Sequence, residues 1–165
     1  MLAEIGIRQA IALGEKFQND QIQFDAIISS STPRAIQTAG YIFPDSEITI
    51  TDSMRAKSSG DWEWKKKIDV YTDEYHRDVY WFIPPNGESY AMVNTRATEW
   101  FNAYIWDHPE LRRIAIVSHD FAIKCMLSYF FDIPHSHIED FRIGNAGQLI
   151  VEVTTDKSIK LIHWN

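Results

Sequence analysis

The sequence predicts an α/β fold, layered α/β/α around a mostly parallel sheet, with an antiparallel hairpin at the C-terminal end. Three observations carry this expectation. Two short β-branched runs, Phe24-Asp25-Ala26-Ile27-Ile28 and Ile114-Ala115-Ile116-Val117, have the length and composition of buried strands. Stretches with apolar residues at helical spacing follow or separate them, at about 33–43, 88–106 and 121–131. The closing segment, Leu149-Ile150-Val151-Glu152-Val153 and Ile159 to Trp164 about a turn at Asp156-Lys157, reads as a hairpin, with Ile143 leading into it. Strands alternating with helices build a layered sheet that binds ligands outside the carboxyl ends of its parallel strands.

Taken in order, residues 3–18 read as a helix, with Ala3, Ile7, Ala10, Ile11, Gly14 and Phe17 on one face and Glu4, Arg8, Glu15 and Lys16 mostly off it. No strand precedes it. A strand over 24–29 comes next, then a helix over 33–43 carried by Ala35, Ile36, Ala39, Gly40 and Phe43. A second short strand, Glu47 to Thr51, follows the turn at Pro44-Asp45. Residues 52–86 are irregular and aromatic, with turn chemistry at Ser58-Ser59-Gly60-Asp61 and rings at Trp62, Trp64, Tyr71, Tyr75, Tyr80, Trp81 and Phe82. This segment suits a lid over one end of the sheet, and equally a packing subdomain. Lys65-Lys66-Lys67 reads as a solvated helix start. Pro84-Pro85-Asn86-Gly87 breaks the chain before a helix from Glu88 to Trp106, whose inner face is Tyr90, Val93, Ala97, Trp100, Phe101, Tyr104 and Ile105. The helix from Phe121 to Phe131 is apolar nearly all round, which places Cys125 in the core.

With 165 residues and no internal repeat, one domain over 1–165 is expected, with 52–86 as its insert. A net charge of −7 argues against nucleic acid or an acidic membrane surface as partner, but a local cationic pocket still admits a small phosphorylated ligand. The single cysteine forms no intramolecular disulfide, and no cysteine cluster suggests structural zinc. No apolar run reaches transmembrane length and no signal peptide opens the chain, so a cytoplasmic protein is the default expectation.

The chemistry gathers at Ser29-Ser30-Ser31-Thr32-Pro33-Arg34. Thr32 suits an N-cap and Pro33 the first helical position, where its missing N–H costs nothing. Free backbone N–H groups, the positive end of the helix dipole and the Arg34 guanidinium then point at one place, which suits a phosphate or a carboxylate. An ordinary capped helix with a surface arginine fits the same residues. Ser118-His119-Asp120 ends the second buried strand, so His119 and Arg34 belong near each other in a parallel sheet, and Glu88 opens a helix after Gly87. A cation, an imidazole and a carboxylic acid together can bind and protonate a phosphate ester. Singly, a strand-ending histidine can be a hydrogen-bonded core residue, and a glutamate at a helix start favours the dipole.

Phe24 to Ala39 resembles the FD-x-I-x-SS-x-x-x-RA-x-QTA stretch of the histidine phosphatase superfamily, whose best-known branch is phosphoglycerate mutase. Leu2 to Ala10 is similar to that family's LTEKGRRQA helix, Gly60-Asp61-Trp62-Glu63 to its G-x-WEG loop, Gly87-Glu88-Ser89 to its GES and Val117-Ser118-His119 to its VSHG. Asn145-Ala146 falls where the family has NAS. The likeness spans essentially the whole chain with the motifs in register. It implies that Arg34 clamps the phosphate, that His119 hydrogen-bonds the transferred phosphoryl group, and that Glu88 protonates the leaving oxygen. It implies no metal and no organic cofactor. In the family a histidine in an Arg-His-Gly strand attacks phosphorus to give a phosphohistidine, which water hydrolyses or a second hydroxyl accepts.

No Arg-His-Gly occurs in these residues, and Met1 stands where the family has its loop after that strand. His76, His108, His135, His137 and His163 have no such context. Loss of a nucleophile costs about 10^6 in turnover, on the order of 8 kcal/mol, so the chain is expected to be close to inactive by the family mechanism. Asp120 also stands where the family has glycine, and repels a bound dianion unless it turns away or pairs with Arg34. The family strand lies between the strand ending at His119 and the hairpin. Three outcomes are open: the hairpin closes onto 114–118, another chain supplies a strand through the exposed sheet edge as a homodimer, or the natural protein starts further upstream. The functional readings are a phosphatase-fold protein lacking its catalytic strand, a non-catalytic relative binding a phosphorylated ligand or a protein through Arg34, Glu88 and His119, and an oligomerisation module. A phosphatase is expected over a mutase, because the chain is short.

Overall fold

The computed structural model describes residues 1–141, 143–154, 156 and 158–164. In chain order these form α1 (Glu4–Asn19), β1 (Ala26–Ser30), α2 (Pro33–Ile42), β2 (Thr49–Thr51), α3 (Lys67–Val70), α4 (Asp73–Arg77), α5 (Tyr90–Asp107), β3 (Ile114–Val117), α6 (Asp120–Phe130), β4 (Leu149–Val153) and β5 (Ile159–Trp164). Short 3-10 turns at Asp52–Met54, Gly60–Trp62 and His135–Asp140 complete it. β1 is the middle strand of a parallel sheet in the order β2-β1-β3, with Ile28 opposite Thr49 and Ser29 opposite Val117. β4 and β5 pair antiparallel as a separate sheet.

Side-chain alternation along β3 creates the layers. Ala115 and Val117 face a cluster of Ala10, Ile27, Ile42 and Phe43, which joins α1 and α2 to one face of the sheet. Phe17, Phe24 and Phe43 close that cluster with ring centroids 5.2–6.0 Å apart. Ile116 points the other way, into Met54, Ala97, Phe101 and Met126, so α5 and α6 cover the opposite face together with Val153 and Ile159 of the hairpin. This is the α/β/α architecture the sequence predicts, and Cys125 is fully buried in it.

The details differ where packing overrides pattern. Ile11 is 40% exposed, because the face of α1 that meets α2 centres on Ala10 and Gly14, and Leu13 and Phe17 flank it instead. A Cβ on Gly14 would come within 2.5 Å of the Ile42 carbonyl oxygen, which shows how closely the two helices approach. Trp100 and Tyr104 are half-buried and stack on each other at 5.1 Å. β2 is shorter than expected. Lys65 and Lys66 are exposed just ahead of α3, as expected of a solvated helix start. Of the hairpin turn, Lys157 lies outside the described residues.

β3, expected to be buried, is only half-buried over all four residues, whereas four of the five residues of β1 are buried. The reason is its second edge. Among the described residues the hairpin does not close onto it; a cleft of about 1750 Å³ separates them, with Ile114–Val117 on one wall and Leu149–Val153 on the other.

The loop at Gly60 and the turn at Gly87 form one unit. Asp61 N–H donates to Pro85 O at 2.9 Å, and Glu88 N–H to Ser58 O at 2.9 Å. Gly60 adopts φ +54°, and a Cβ there would fall 2.1 Å from Pro85 O. A Gly60→Ala substitution therefore meets both a left-handed backbone, worth about 1–2 kcal/mol, and a backbone clash. A loss of stability above that range is expected in urea denaturation, and an unchanged midpoint would refute the close approach.

Candidate active site

Parallel pairing of β1 with β3 sets two strand–helix junctions side by side, β1 into α2 and β3 into α6. Thr32 occupies the N-cap position of α2, with extended φ and ψ, yet its hydroxyl caps nothing. It lies instead 2.9 Å from His119 Nε2, and Ser30 Oγ lies 3.0 Å from the same nitrogen. His119 is the N-cap of α6, likewise without a side-chain cap bond. The two helix N-termini beside the cleft thus keep their side-chain caps turned onto each other, and their dipoles favour negative charge in front of them.

Burial, aided by the positive charges of Arg34 and Arg96, pushes His119 down to about 4. The ring is therefore neutral at pH 7. The Arg34 guanidinium is exposed on the cleft wall and pairs with no carboxylate among the described residues. A neutral imidazole and an uncommitted guanidinium then stand together at the C-terminal end of the parallel strands. Ser118 Oγ anchors that end of β3 by donating to Met54 O at 2.8 Å.

Glu88 sits one ion pair back from this place. Its Oε1 accepts from Arg96 Nε at 3.0 Å, and its Oε2 from Arg96 Nη2 at 3.1 Å and from Ser58 N–H at 3.0 Å. Both side chains are largely shielded, at 14% and 19% exposure. Burial pushes the Glu88 carboxyl up, but the hydrogen bonds from Arg96 and Ser58 and the charges of Arg96 and Arg55 outweigh it, so the net shift is down. Arg96 also donates to the carbonyls of Ser53, Arg55 and Ala56, at 2.6, 2.9 and 3.2 Å. Lys57, with its Nζ on the Glu88 carbonyl at 2.9 Å, is lowered by burial against the pull of Glu88.

Asp120 turns onto Lys124, with Oδ2 2.8 Å from Nζ. Of the alternatives open in the sequence, this is the carboxylate that finds its cation one turn along its own helix rather than at Arg34. The structure thus brings Arg34 and His119 to one wall of the cleft, with Glu88 linked to them through Arg96, whose charge reaches His119. Ser30 and Thr32 as partners of His119, and Arg96 as partner of Glu88, were not singled out by sequence reasoning. Glu88, expected to open the helix, lies ahead of its N-cap Ser89, so no helical spacing in the sequence pointed from it to Arg96.

Two pH effects follow. The folded value of His119 lies below its unfolded value, so the unfolded chain binds more protons between about pH 6.5 and 4, and stability falls as pH drops through that window. The carboxylate of Glu88 is also lowered, so its contribution is present above the unfolded carboxylate range and lost as pH falls through the folded value. Denaturation across this range is expected to flatten above pH 4.5 in His119→Gln and below it in Glu88→Gln; unaltered curves would contradict these environments. Removing one partner of the shielded pair, as in Arg96→Met, is expected to cost about 3–5 kcal/mol.

The histidine phosphatase superfamily (branch 1) matches residues 1–165. A 6-phosphofructo-2-kinase/fructose-2,6-bisphosphatase of Caenorhabditis elegans is 27% identical over 83% of this chain, which spans only 30% of that enzyme's length. A 2,3-bisphosphoglycerate-dependent phosphoglycerate mutase of Bartonella henselae is 23% identical, over 96% of this chain and 82% of its own. The α-ribazole phosphatase of Shigella flexneri superposes with a TM-score of 0.88 at 24% identity, over 100% of this chain and 84% of its own, and so shares the fold. Among the described residues no helix is long and apolar enough to cross a membrane. By the match over its whole length, the chain belongs to the histidine phosphatase superfamily.

Proposed function

We propose that this chain carries the phosphoryl-binding wall of a phosphomonoesterase, and that the nucleophilic imidazole arrives on a strand seated in the cleft between β3 and β4. The observation that carries this reading is the meeting of an uncommitted guanidinium, a neutral imidazole and two helix N-termini at one end of an open cleft. Arg34 clamps the phosphate oxygens. His119 hydrogen-bonds the phosphoryl group as it transfers. Glu88 supplies the proton to the leaving oxygen, with Arg96 as its counter-ion: an arriving dianion opposes the arginine charges and raises both His119 and Glu88.

A strand inserted beside β3 would run its end to His119, which is where an attacking group must stand. The hairpin standing over β3 favours insertion over an edge-to-edge homodimer, which would instead show as a mass rising with concentration in light scattering. Without that strand, turnover is expected to be lower by about 10^6. The phosphoryl-binding wall does not depend on it.

The test follows the His119 ring by NMR titration with and without orthovanadate. Vanadate is expected to raise the titration midpoint from about 4, and Arg34→Ala to abolish the rise. Fusing an apolar strand ending in Arg-His-Gly ahead of Met1 is expected to yield phosphatase activity that Arg34→Ala removes. A titration indifferent to vanadate would sink the reading. Binding without activity in the fusion would leave a phospholigand-binding protein.

A further inference from the structure

Beyond the phosphoryl wall, the cleft has a second surface made of aromatic rings. Phe121, in the first turn of α6 and two residues past His119, stacks on Tyr90 with centroids 3.6 Å apart. Tyr75 lies against Tyr71, with ring centroids 4.0 Å apart and planes tilted by 32°. Trp62 and Phe82 brace Tyr75 from behind, at 5.9 and 5.5 Å. Tyr75 is buried, whereas Tyr71, Tyr90 and Phe121 are half-buried and line the cleft together with Arg34 and His119.

The charges on this side are few. Of the cationic residues lining the cleft, Arg112 and Arg113 precede β3 and so stand at its far end, about a strand length away at 3.3 Å per residue. Lys57 is held behind Tyr90, with Nζ 5.2 Å over the ring and bonded to the Glu88 carbonyl. Arg34 is taken by the phosphate in the proposed function. Asp120, half-exposed at the mouth, is paired with Lys124.

We propose that this aromatic wall is the leaving-group subsite, and that it selects phosphate monoesters of an aromatic or other uncharged ring alcohol over esters whose leaving group carries a carboxylate. The inference rests on the phosphoryl-binding reading above. Tyr71, Tyr90 and Phe121 are half-buried in the cleft lining, and aromatic rings so placed gain from contact with a planar leaving group. A second anionic group there would be stripped of water where Lys57 is already bonded to the Glu88 carbonyl and Lys124 is already paired with Asp120. The irregular segment thereby acquires a role, since it supplies two of the tyrosines and the rings that brace them.

Titration calorimetry of the full chain with inorganic phosphate, phenyl phosphate and 3-phosphoglycerate tests this. Phenyl phosphate is expected to bind about tenfold more tightly than inorganic phosphate, and 3-phosphoglycerate no more tightly. In Tyr71→Leu and Tyr90→Leu the ratio of phenyl phosphate to phosphate affinity is expected to fall towards one, while Tyr90→Phe, which keeps the ring, holds it; circular dichroism checks that each variant folds. If 3-phosphoglycerate binds as tightly as phenyl phosphate, or the ratio survives both leucine variants, the subsite is overturned and the phosphoryl wall stands. If none of the three ligands binds, both are overturned.

Discussion

The parallel pairing of β1 with β3 is the constraint on which the rest depends. Register fixes Ser29 opposite Val117, and a helix begins four residues after the first and three after the second. Because the strands run the same way, both turns fall at the same end, and Ser30, Thr32 and His119 meet there across a gap of 87 to 89 residues in sequence. An antiparallel pairing of the same strands would put the serine turn and the histidine at opposite ends. The hydroxyls spent on His119 are not spent on capping, so the helix ends stay open to an anion. Local helix stability is given up at the place where a ligand would restore it.

A second tie holds that end in shape from the other face of the sheet. Arg96, projecting from α5, gathers three carbonyls of 53–56 and both oxygens of Glu88. Ser118 binds Met54 in the same stretch, so the end of β3, the segment after β2 and the start of α5 form one hydrogen-bonded block. Charge is balanced locally in it: Arg96 answers Glu88, and Lys124 answers Asp120. Arg34 has no carboxylate partner among the described residues, which makes it a local exception to the field of a chain of net charge −7.

Much of this was legible in the sequence because it rests on short-range chemistry. Ile27-Ile28 and Ile114 to Val117 can hardly be anything but strands in this setting, and Thr32-Pro33 marks a helix start whatever the hydroxyl then does. Two strand ends in a parallel sheet placed Arg34 and His119 together, and the likeness of five motifs in register named the family. What the sequence hid is long-range and competitive. Nothing local says that Thr32 prefers a histidine 87 residues away to its own helix, or that Glu88 is matched by Arg96 rather than left to titrate. The half-burial of β3 was illegible for the same reason. Its composition is that of a buried strand, and its exposure depends on what stands beside it.

That mismatch between composition and burial bears on how the cleft persists. An unpaired backbone group costs about 1–3 kcal/mol when it is buried, but far less when water reaches it. The edge of β3 is half-exposed, so water can meet its N–H and C=O groups while β1 holds the strand from the other side. The apolar side chains of the cleft bear the greater cost, since area left wet forgoes about 25 cal/mol per Å² of burial. An inserted strand would gain on both counts, pairing the edge and drying Ile116, Val151 and Val153 at once. Its end would then lie at His119, in front of the two open helix termini. Under the proposed function, closing the sheet and completing the site would be the same event: the apolar surface that makes the cleft costly to leave open would be the driving force that brings a nucleophile to the phosphate.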